Sequence, residues 1–497
     1  MKNTTFTDRI SPAQKLSKDL ATNTTNLRLF LDDTADLTVK HATIAGCDAG
    51  IITCEGMINT QTIANLIYAP LRGLDNSCYT PDVLVQRLGS HFLTAVDQAS
   101  VATYDELISK FMSGFVIILV DGADRGVAIA AQGFGMRGVE RPLIHSNMRG
   151  SNEGFTENLR TNISLVRRRI KSPTFVVRNV IVGARSNTGV SLCYLSDKAE
   201  ESLIKQVMEK LENIPVEVIL ESGFIEPFLQ DDGNSIFTQV GSTDRPDVLA
   251  AKLLDGRVGV IVDGTPFAMY LPLLFCEHFQ TMDDYSGLSM WATFGRFLKY
   301  FAFFLTILLP GFFIAISNYN PELFPPTILF NIMNTEQKTP FSILTECIIV
   351  VVIYEIMKEA GLRLPSVVGH AVSIIGGLVL GEITVSVGLI SAPVVLVVAL
   401  SAITGFIIPD LYPTIAVLRF AFIIAGGLFG LFGVTALVMV VLFKICSMSL
   451  YGVPYMAPLT PFTLRVMHDY AVRRDWRNLS RNNVTLSQMT GAGENAN

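Results

Sequence analysis

Five long apolar runs lie beyond residue 290 of this 497-residue chain, at 297–317, 341–357, 366–390, 392–408 and 414–446. A helix that spans a bilayer needs about 20 apolar residues. Each run reaches or approaches that length, and the last is long enough for one tilted span or two short ones. Its glycines Gly426, Gly427, Gly430 and Gly433 mark the natural place for a break. The run 258–279 is apolar too, but Asp263, Pro266, Pro272, Glu277 and His278 interrupt it. It reads as a core strand followed by a membrane-proximal segment. The pattern predicts a multi-domain membrane protein, with an N-terminal α/β region of two similar subdomains followed by an α-helical transmembrane domain.

Charge is divided along the same line. Of 38 basic and 44 acidic residues, only 12 and 10 fall from Trp291 onward, so the front carries the acidic excess of an ordinary globular region. This balance excludes a basic nucleic-acid binder. Seven cysteines, at 47, 54, 78, 193, 276, 347 and 446, are scattered without a CxxC pair. They exclude a disulfide scaffold and read as reduced, packed thiols. Residues 1–25 lack the apolar core of a signal peptide and read as a disordered polar tail. Residues 26–290 then form a soluble cytoplasmic region, 291–450 the transmembrane domain and 451–497 a basic cytoplasmic tail.

Strand signals in the front region fall at 115–120, 127–131, 175–182, 190–195, 216–220 and 258–262, with helical periodicity between them, as at Leu203, Val207 and Leu211. One pattern occurs twice. Asp105-x-Leu107-x-x-Lys110-x-x-x-Gly114 precedes Ile118-x-Val120-Asp121-Gly122, and Asp247-x-Leu249-x-x-Lys252-x-x-x-Gly256 precedes Val260-x-Val262-Asp263-Gly264. Physically this is a helix, a glycine that ends it with positive φ, a buried strand and an Asp-Gly turn. Repeat units near 105–122 and 247–264 therefore predict a duplicated subdomain. Two such lobes either frame a cleft or form a rigid scaffold. Asp121 and Asp263 could act as paired carboxylates, but Asp-Gly after a strand is ordinary turn chemistry. The basic run Arg167-Arg168-Arg169 is either a solvated face or a contact for anionic lipid or an acidic partner. Gly183 and Gly189 have no Lys-Ser/Thr behind them and make no phosphate loop. There is no HExxH helix and no GxSxG elbow. The sequence predicts no enzyme, no cofactor and no metal site.

In the apolar half, Arg296, Lys299, Lys358, Arg363 and the tail arginines predict that both termini lie inside, which requires an even number of crossings. Six crossings, or four with a re-entrant piece, satisfy this. The run 366–390 holds Gly369, Gly376, Gly377, Gly381, Ser373, His370 and Glu382. Its small residues serve either tight helix packing or a water-accessible pore face. Glu355 and Lys444 read as end residues that snorkel. Glu346, Glu382 and Arg419 read as functional or paired charges, because a charge deep in a bilayer is costly.

With these residues in view, the chain resembles the A subunits of GerA-type nutrient germinant receptors of bacterial endospores. The matching stretches are Gly154-Phe155-Thr156-Glu157-Asn158-Leu159-Arg160-Thr161-Asn162, Asp244-Arg245-Pro246-Asp247, Gly256-Arg257-Val258 and Val262-Asp263-Gly264-Thr265-Pro266-Phe267. Leu309-Pro310-Gly311, Pro325-Pro326, Gly361-Leu362-Arg363-Leu364-Pro365 and the stretch from Val372-Ser373-Ile374 to Gly381 extend the match. The resemblance implies a homo-oligomeric A subunit in the spore inner membrane, beside a transporter-like B subunit and a lipoprotein C subunit. It implies a ligand-gated channel that releases monovalent cations and triggers germination. Val372, Ser373, Ile375, Gly376, Gly377, Gly381 and Glu382 are then the candidates to line or gate the pore, and Glu346 and Arg419 the intramembrane charges. A secondary transporter with a site at broken, glycine-rich helices and a non-conducting signalling scaffold are the alternatives.

Overall fold

The computed structural model describes residues 13–72, 79–89, 97–133, 151–231, 233, 235–363, 379–460, 469–479 and 486. The chain divides into two compact units: Met1–Gly233 with Gln239–Leu273 and Asn483–Asn497, and Asn234–Thr238 with Leu274–Asn482.

The first unit contains two five-stranded sheets. The first sheet has β1 (Leu37–Ile44), β2 (Cys47–Cys54), β3 (Gln98–Val101), β4 (Phe115–Val120) and β5 (Gly126–Ala130) in the order β1-β2-β4-β5-β3. The second has β6 (Phe175–Val182), β7 (Thr188–Leu195), β8 (Gly241–Thr243), β9 (Val258–Val262) and β10 (Ala268–Leu271) in the order β6-β7-β9-β10-β8. Moving every strand of the first sheet on by five gives the second. The duplication legible in the sequence is thus a duplication of topology, and all pairings within it are antiparallel.

Local chemistry explains each copy. Helix α1 (Leu20–Phe30) opens the first lobe, and α2 (Tyr104–Met112) begins at Thr103, whose hydroxyl accepts from the Glu106 amide. The Glu106 carboxylate accepts in return from the Ala102 amide at 2.8 Å, so the first turn has its exposed donors satisfied from both directions. Gly114, at φ +79°, ends α2 and feeds β4. In the second lobe, α3 (Leu159–Arg167) and α4 (Glu201–Glu212) are followed by α5 (Pro246–Leu254), which starts on Pro246 and ends before Gly256 at φ +91°. Strand β4 reads as an unbroken apolar run because both of its faces are covered. Ile117 and Leu119 pack with Leu27, Leu107 and Phe111, and Val116, Ile118 and Val120 with Ile63, Leu84 and Leu88.

The expected strand at 216–220 is not one. Ser186 accepts from the Ile219 amide at 3.0 Å, and Thr188 donates to the Ile219 carbonyl at 2.7 Å. With the Arg185 and Ser186 amides, which donate to the Glu217 carbonyl at 2.8 and 3.3 Å, these contacts tie the segment to the β6–β7 turn without forming a strand ladder, while Leu220 faces solvent.

The second unit is helical: α6 (Ser289–Tyr319), α7 (Pro326–Glu336), α8 (Ile343–Arg363), α9 (Ala392–Gly405) and α10 (Tyr412–Ser447). Ser289–Tyr319 and Pro409–Ser447 are long and apolar enough to cross a membrane, and Ala392–Gly405 is a shorter apolar helix. Helix α10 breaks at Gly430, whose φ of 62° and ψ of −147° belong to a region that only glycine occupies readily. The break is a reversal. A straight helix of that length would separate its ends by about 54 Å. Instead, Thr414 donates to the carbonyl of Ile236 at 2.6 Å, and Met448 lies 3.8 Å from the hydroxyl of neighbouring Ser235. At the turn, a methyl group on Gly433 would strike the backbone of Ala425. The arms 412–429 and 431–447 form a hairpin around the glycine group at which the sequence predicts a break.

Helices α6 and α10 cross where Gly311 follows Pro310. A side chain on Gly311 would collide with the backbone of Phe422, and one on Gly426 with the backbone of Gly311. Approach this close needs glycine on both helices. Near its start, α6 is held by the segment 469–476. Fully buried Arg296 donates to Asp284 at 3.0 Å and to Asp469 at 2.9 Å, and Tyr285 donates to Asp469 at 2.7 Å. Burial and the Asp469 charge hold the Tyr285 hydroxyl far above the usual phenol range, so it stays a donor. Arg473 donates to the Tyr285 carbonyl at 3.2 Å.

Candidate functional site

In the helical unit, polar side chains converge from four helices onto one buried seam. Thr306 of α6 is fully buried; it donates to the Ala302 carbonyl and meets Thr404 of α9, each at 2.7 Å. Ser401, one turn earlier on α9, donates to the Thr306 carbonyl at 2.8 Å. Arg419 of α10 is fully buried, with Nη1 3.5 Å from the Ser401 hydroxyl and Nη2 paired with Glu355 of α8. The other Glu355 oxygen accepts from Tyr412 at 2.8 Å. The Arg419 guanidinium lies 5.2 Å from the ring centre of Tyr354, and the Lys358 ammonium sits over the ring of Tyr412. Arg419 Nε has no hydrogen-bond partner.

A second carboxylate on α8 pins a different element. Glu346, buried in the first turn, accepts through Oε2 from the amide of Ser391 at 3.0 Å and from its hydroxyl at 2.6 Å. Ser391 is the residue that starts α9, so the charge lies by two helix N-termini, where a carboxylate is favoured. Its Oε1 is unpartnered.

Of the residues expected to line a pore, Val372, Ser373, Ile375, Gly376 and Gly377 lie outside the described residues. Gly381 and Glu382 fall in a π-helical turn, Val379–Ile383, and both are exposed. Arg419 and Glu346 lie in the buried places described above, which joins Arg419 to Glu355. The sequence reading missed that partner: Glu355 is not a snorkelling end residue but the counter-charge of Arg419, 64 positions away. A spacing signal could not have found it, since the two lie on different helices. The tyrosines flanking the pair, Tyr354 and Tyr412, are the only local hint.

The front unit uses its candidates structurally. Asp121 accepts from the amide of Leu20 at 3.0 Å, and Asp263 from the amide of Leu159, also at 3.0 Å. The glycines that follow donate to the carbonyls of Lys18 and Glu157 at 2.7 and 2.8 Å. Each Asp-Gly turn therefore fastens the start of a helix, α1 in one lobe and α3 in the other, and the two carboxylates never meet. A shallow pocket bounded by Thr156, Asn158, Thr161 and Asp263 opens at the start of α3. Arg167 is corrected from a surface contact to an internal one. Fully buried, it holds Asp36 of the first lobe through Nε at 3.0 Å and Nη2 at 2.6 Å. Arg168 and Arg169 both reach Glu153, at 3.4 and 2.6 Å. Among the described residues, no three His, Cys, Asp or Glu side chains converge as a metal site would require.

Residues 25–484 match the family model of the Bacillus/Clostridium GerA spore germination protein. The chain belongs to the GerA family. It is 34% identical over 466 residues to spore germination protein KA of Bacillus subtilis, covering 93% of this chain and 85% of that one. It is 31% identical over 480 residues to the Bacillus subtilis membrane protein YfkQ, covering 96% and 93%. Spore germination protein GerLA of Bacillus cereus is 28% identical over 446 residues, covering 89% and 88%. Among solved structures, the N-terminal domain of the A subunit of the Bacillus megaterium spore germinant receptor GerK3 is 27% identical. It covers 53% of this chain and 99% of that domain, with a TM-score of 0.42.

Proposed function

We propose that this chain is the A subunit of a nutrient germinant receptor in the spore inner membrane, and that copies of it assemble into a ligand-gated channel that releases monovalent cations. Family membership supports the germination role. The observation that carries the channel reading is a set of polar side chains buried within the core of a helical unit whose outside is apolar. Phe301, Leu396, Phe429, Phe432 and Phe443 are exposed on its outside, while Thr306, Ser401, Arg419 and Glu346 are buried inside. Large exposed apolar side chains on several helices suit contact with lipid. Buried polar side chains in such a unit suit a path for ions or water.

In this reading the front region faces the spore core, and a transporter-like B subunit and a lipoprotein C subunit complete the receptor. The segment 366–382, with Val372, Ser373, Ile375, Gly376, Gly377, Gly381 and Glu382, is the proposed pore lining. A secondary transporter is the second reading, favoured by the broken backbone at Gly430 and the π-helical turn at Val379–Ile383. Electron microscopy of the full-length protein in nanodiscs tests the assembly, and flux measurements on the purified receptor test the transport mode. A closed ring with an axial hole, and a cation current that follows its gradient alone, are expected. A monomer or dimer that exchanges one solute at fixed stoichiometry would overturn the proposal.

A further inference from the structure

Both tryptophans of this chain, Trp291 and Trp476, lie at the same end of the helical unit and are exposed there, although they are far apart in sequence. The segment that carries Trp476 is lashed to the first turns of α6. The Thr293 hydroxyl accepts from the Arg473 amide at 3.1 Å, and Thr293 stands only about 3 Å further along α6 than Trp291, two residues at 1.5 Å each. Trp476 donates through Nε1 to the carbonyl of Tyr285 at 3.0 Å. Beneath it, the buried Arg473 guanidinium lies 5.4 Å from the Trp476 ring and 5.8 Å from that of Tyr285. The indole therefore has its one polar group bonded to protein, yet Trp476 stays 56% exposed, and the ring it shows is hydrocarbon.

The surface around the two indoles has two characters. Leu288, Met290 (85% exposed), Trp291 and Phe294 form an apolar edge that continues along α6 through Phe297, Phe301 and Phe304. On the tail side, Arg474 and Arg477 flank Trp476 and are exposed. The acidic residue between them, Asp475, accepts from the Trp476 amide at 2.8 Å. Water is a poor neighbour for the first group and acyl chains for the second. The boundary layer of a bilayer suits both, since indoles settle among the headgroups and arginines meet lipid phosphates there.

We propose that residues 472–479 are an interfacial anchor. Trp476 enters the headgroup layer level with Trp291, and Arg474 and Arg477 bind the phosphates of anionic lipids. The anchor holds the segment that carries Asp469 against the start of α6, where Asp469 meets Arg296. The inference rests on the reading that the helical unit lies in a bilayer; it does not depend on conduction.

With two tryptophans, the full-length protein in proteoliposomes reports on itself. Trp291→Phe leaves Trp476 as the reporter, and Trp476→Phe leaves Trp291. Each is read with phosphatidylcholine or phosphatidylglycerol brominated near the glycerol or near the chain end, bromine being a short-range quencher. Both tryptophans are expected to be quenched more by the shallow bromines than by the deep ones. Phosphatidylglycerol is expected to reach Trp476 at least about fivefold more tightly than phosphatidylcholine, the weight of one arginine at an anionic surface. Arg474→Gln with Arg477→Gln, both at exposed positions, is expected to abolish that preference. Trp476 spared by every brominated lipid while Trp291 is quenched overturns the anchor and leaves the patch to a protein partner. Equal quenching by the two lipids, or inorganic phosphate that competes away the phosphatidylglycerol preference at neutral pH and constant ionic strength, overturns the anionic-lipid site. Sparing of both tryptophans overturns the membrane reading of the helical unit instead.

Discussion

Asp36 and Arg167, 131 residues apart, close a buried ion pair that joins the two repeated lobes. Thr34 donates to one oxygen of Asp36 at 2.6 Å, and Arg167 reaches the Phe175 carbonyl at 2.9 Å and stacks against the Phe175 ring. Beside them, the amide of Ala35 donates to the carbonyl of Val177 at 2.9 Å. The repeat thus works as one body fastened at its middle.

Removing one member of such a pair leaves the other buried and uncompensated, which costs about 3–5 kcal/mol. Asp36→Asn or Arg167→Met should lower the denaturation midpoint of the front region in the full-length protein, followed by urea-dependent fluorescence. The double variant should lose less than the sum of the two. Additive losses would show that the side chains are not coupled.

The two Asp-Gly turns predict a different pattern. Asp121→Ala and Asp263→Ala each remove one acceptor from a helix start, at a cost of about 1 kcal/mol. Because the sites lie in separate lobes, the two losses should add in the double variant. Strong coupling in the same urea experiment would contradict the separate placement of the two carboxylates.

Close contact of α6 with α10 makes their glycines intolerant of side chains. Gly311→Leu and Gly426→Leu should each destabilise the detergent-solubilised protein by at least the roughly 1–3 kcal/mol typical of overpacking. Gly361→Leu, at a glycine with open space around it, should have little effect. Thermal unfolding of the three variants, compared at equal expression, reads this directly.

Thiol chemistry offers a check on the front-region core. Burial, reinforced by the charge of Asp36, pushes the Cys54 thiol well above its ordinary range and that of Cys193 up to about 12. Both thiols therefore stay protonated at pH 8, with almost no reactive thiolate. A water-soluble maleimide should modify the partly exposed Cys47 and spare Cys54 and Cys193 until denaturant is added. Early modification of Cys54 in mass-spectrometric peptide maps would place it nearer the surface.

Labelling tests the hairpin. In sealed vesicles, cysteines placed at Tyr412 and Ser447 should react with an impermeant reagent from one and the same side, and cysteines at Phe429 and Phe432 from the other. A single continuous span through 412–447 would put Tyr412 and Ser447 on opposite sides.

What the sequence revealed was mostly local. The helix–glycine–strand–Asp-Gly repeat was legible because each step depends on residues within a few positions, and the break among Gly426–Gly433 for the same reason. Long-range pairing was not legible. Arg167 sits in a run of three arginines that looks like a surface patch, and only the distant Asp36 turns it inward. Glu355 near the end of an apolar run looks like a snorkelling side chain until Arg419, on another helix, supplies its counter-charge. The segment 216–220 has strand composition but meets a turn, whose two amides and two hydroxyls hold Glu217 and Ile219 without a strand ladder.

Because α10 turns back at Gly430, while Asp469 and Arg473 settle against the first turns of α6, the helical unit starts and finishes at one end. Held in a bilayer, it would offer its opening helix and its closing segment to a single compartment. A soluble regulator, protease or modifying enzyme confined there could act on both without passing through lipid.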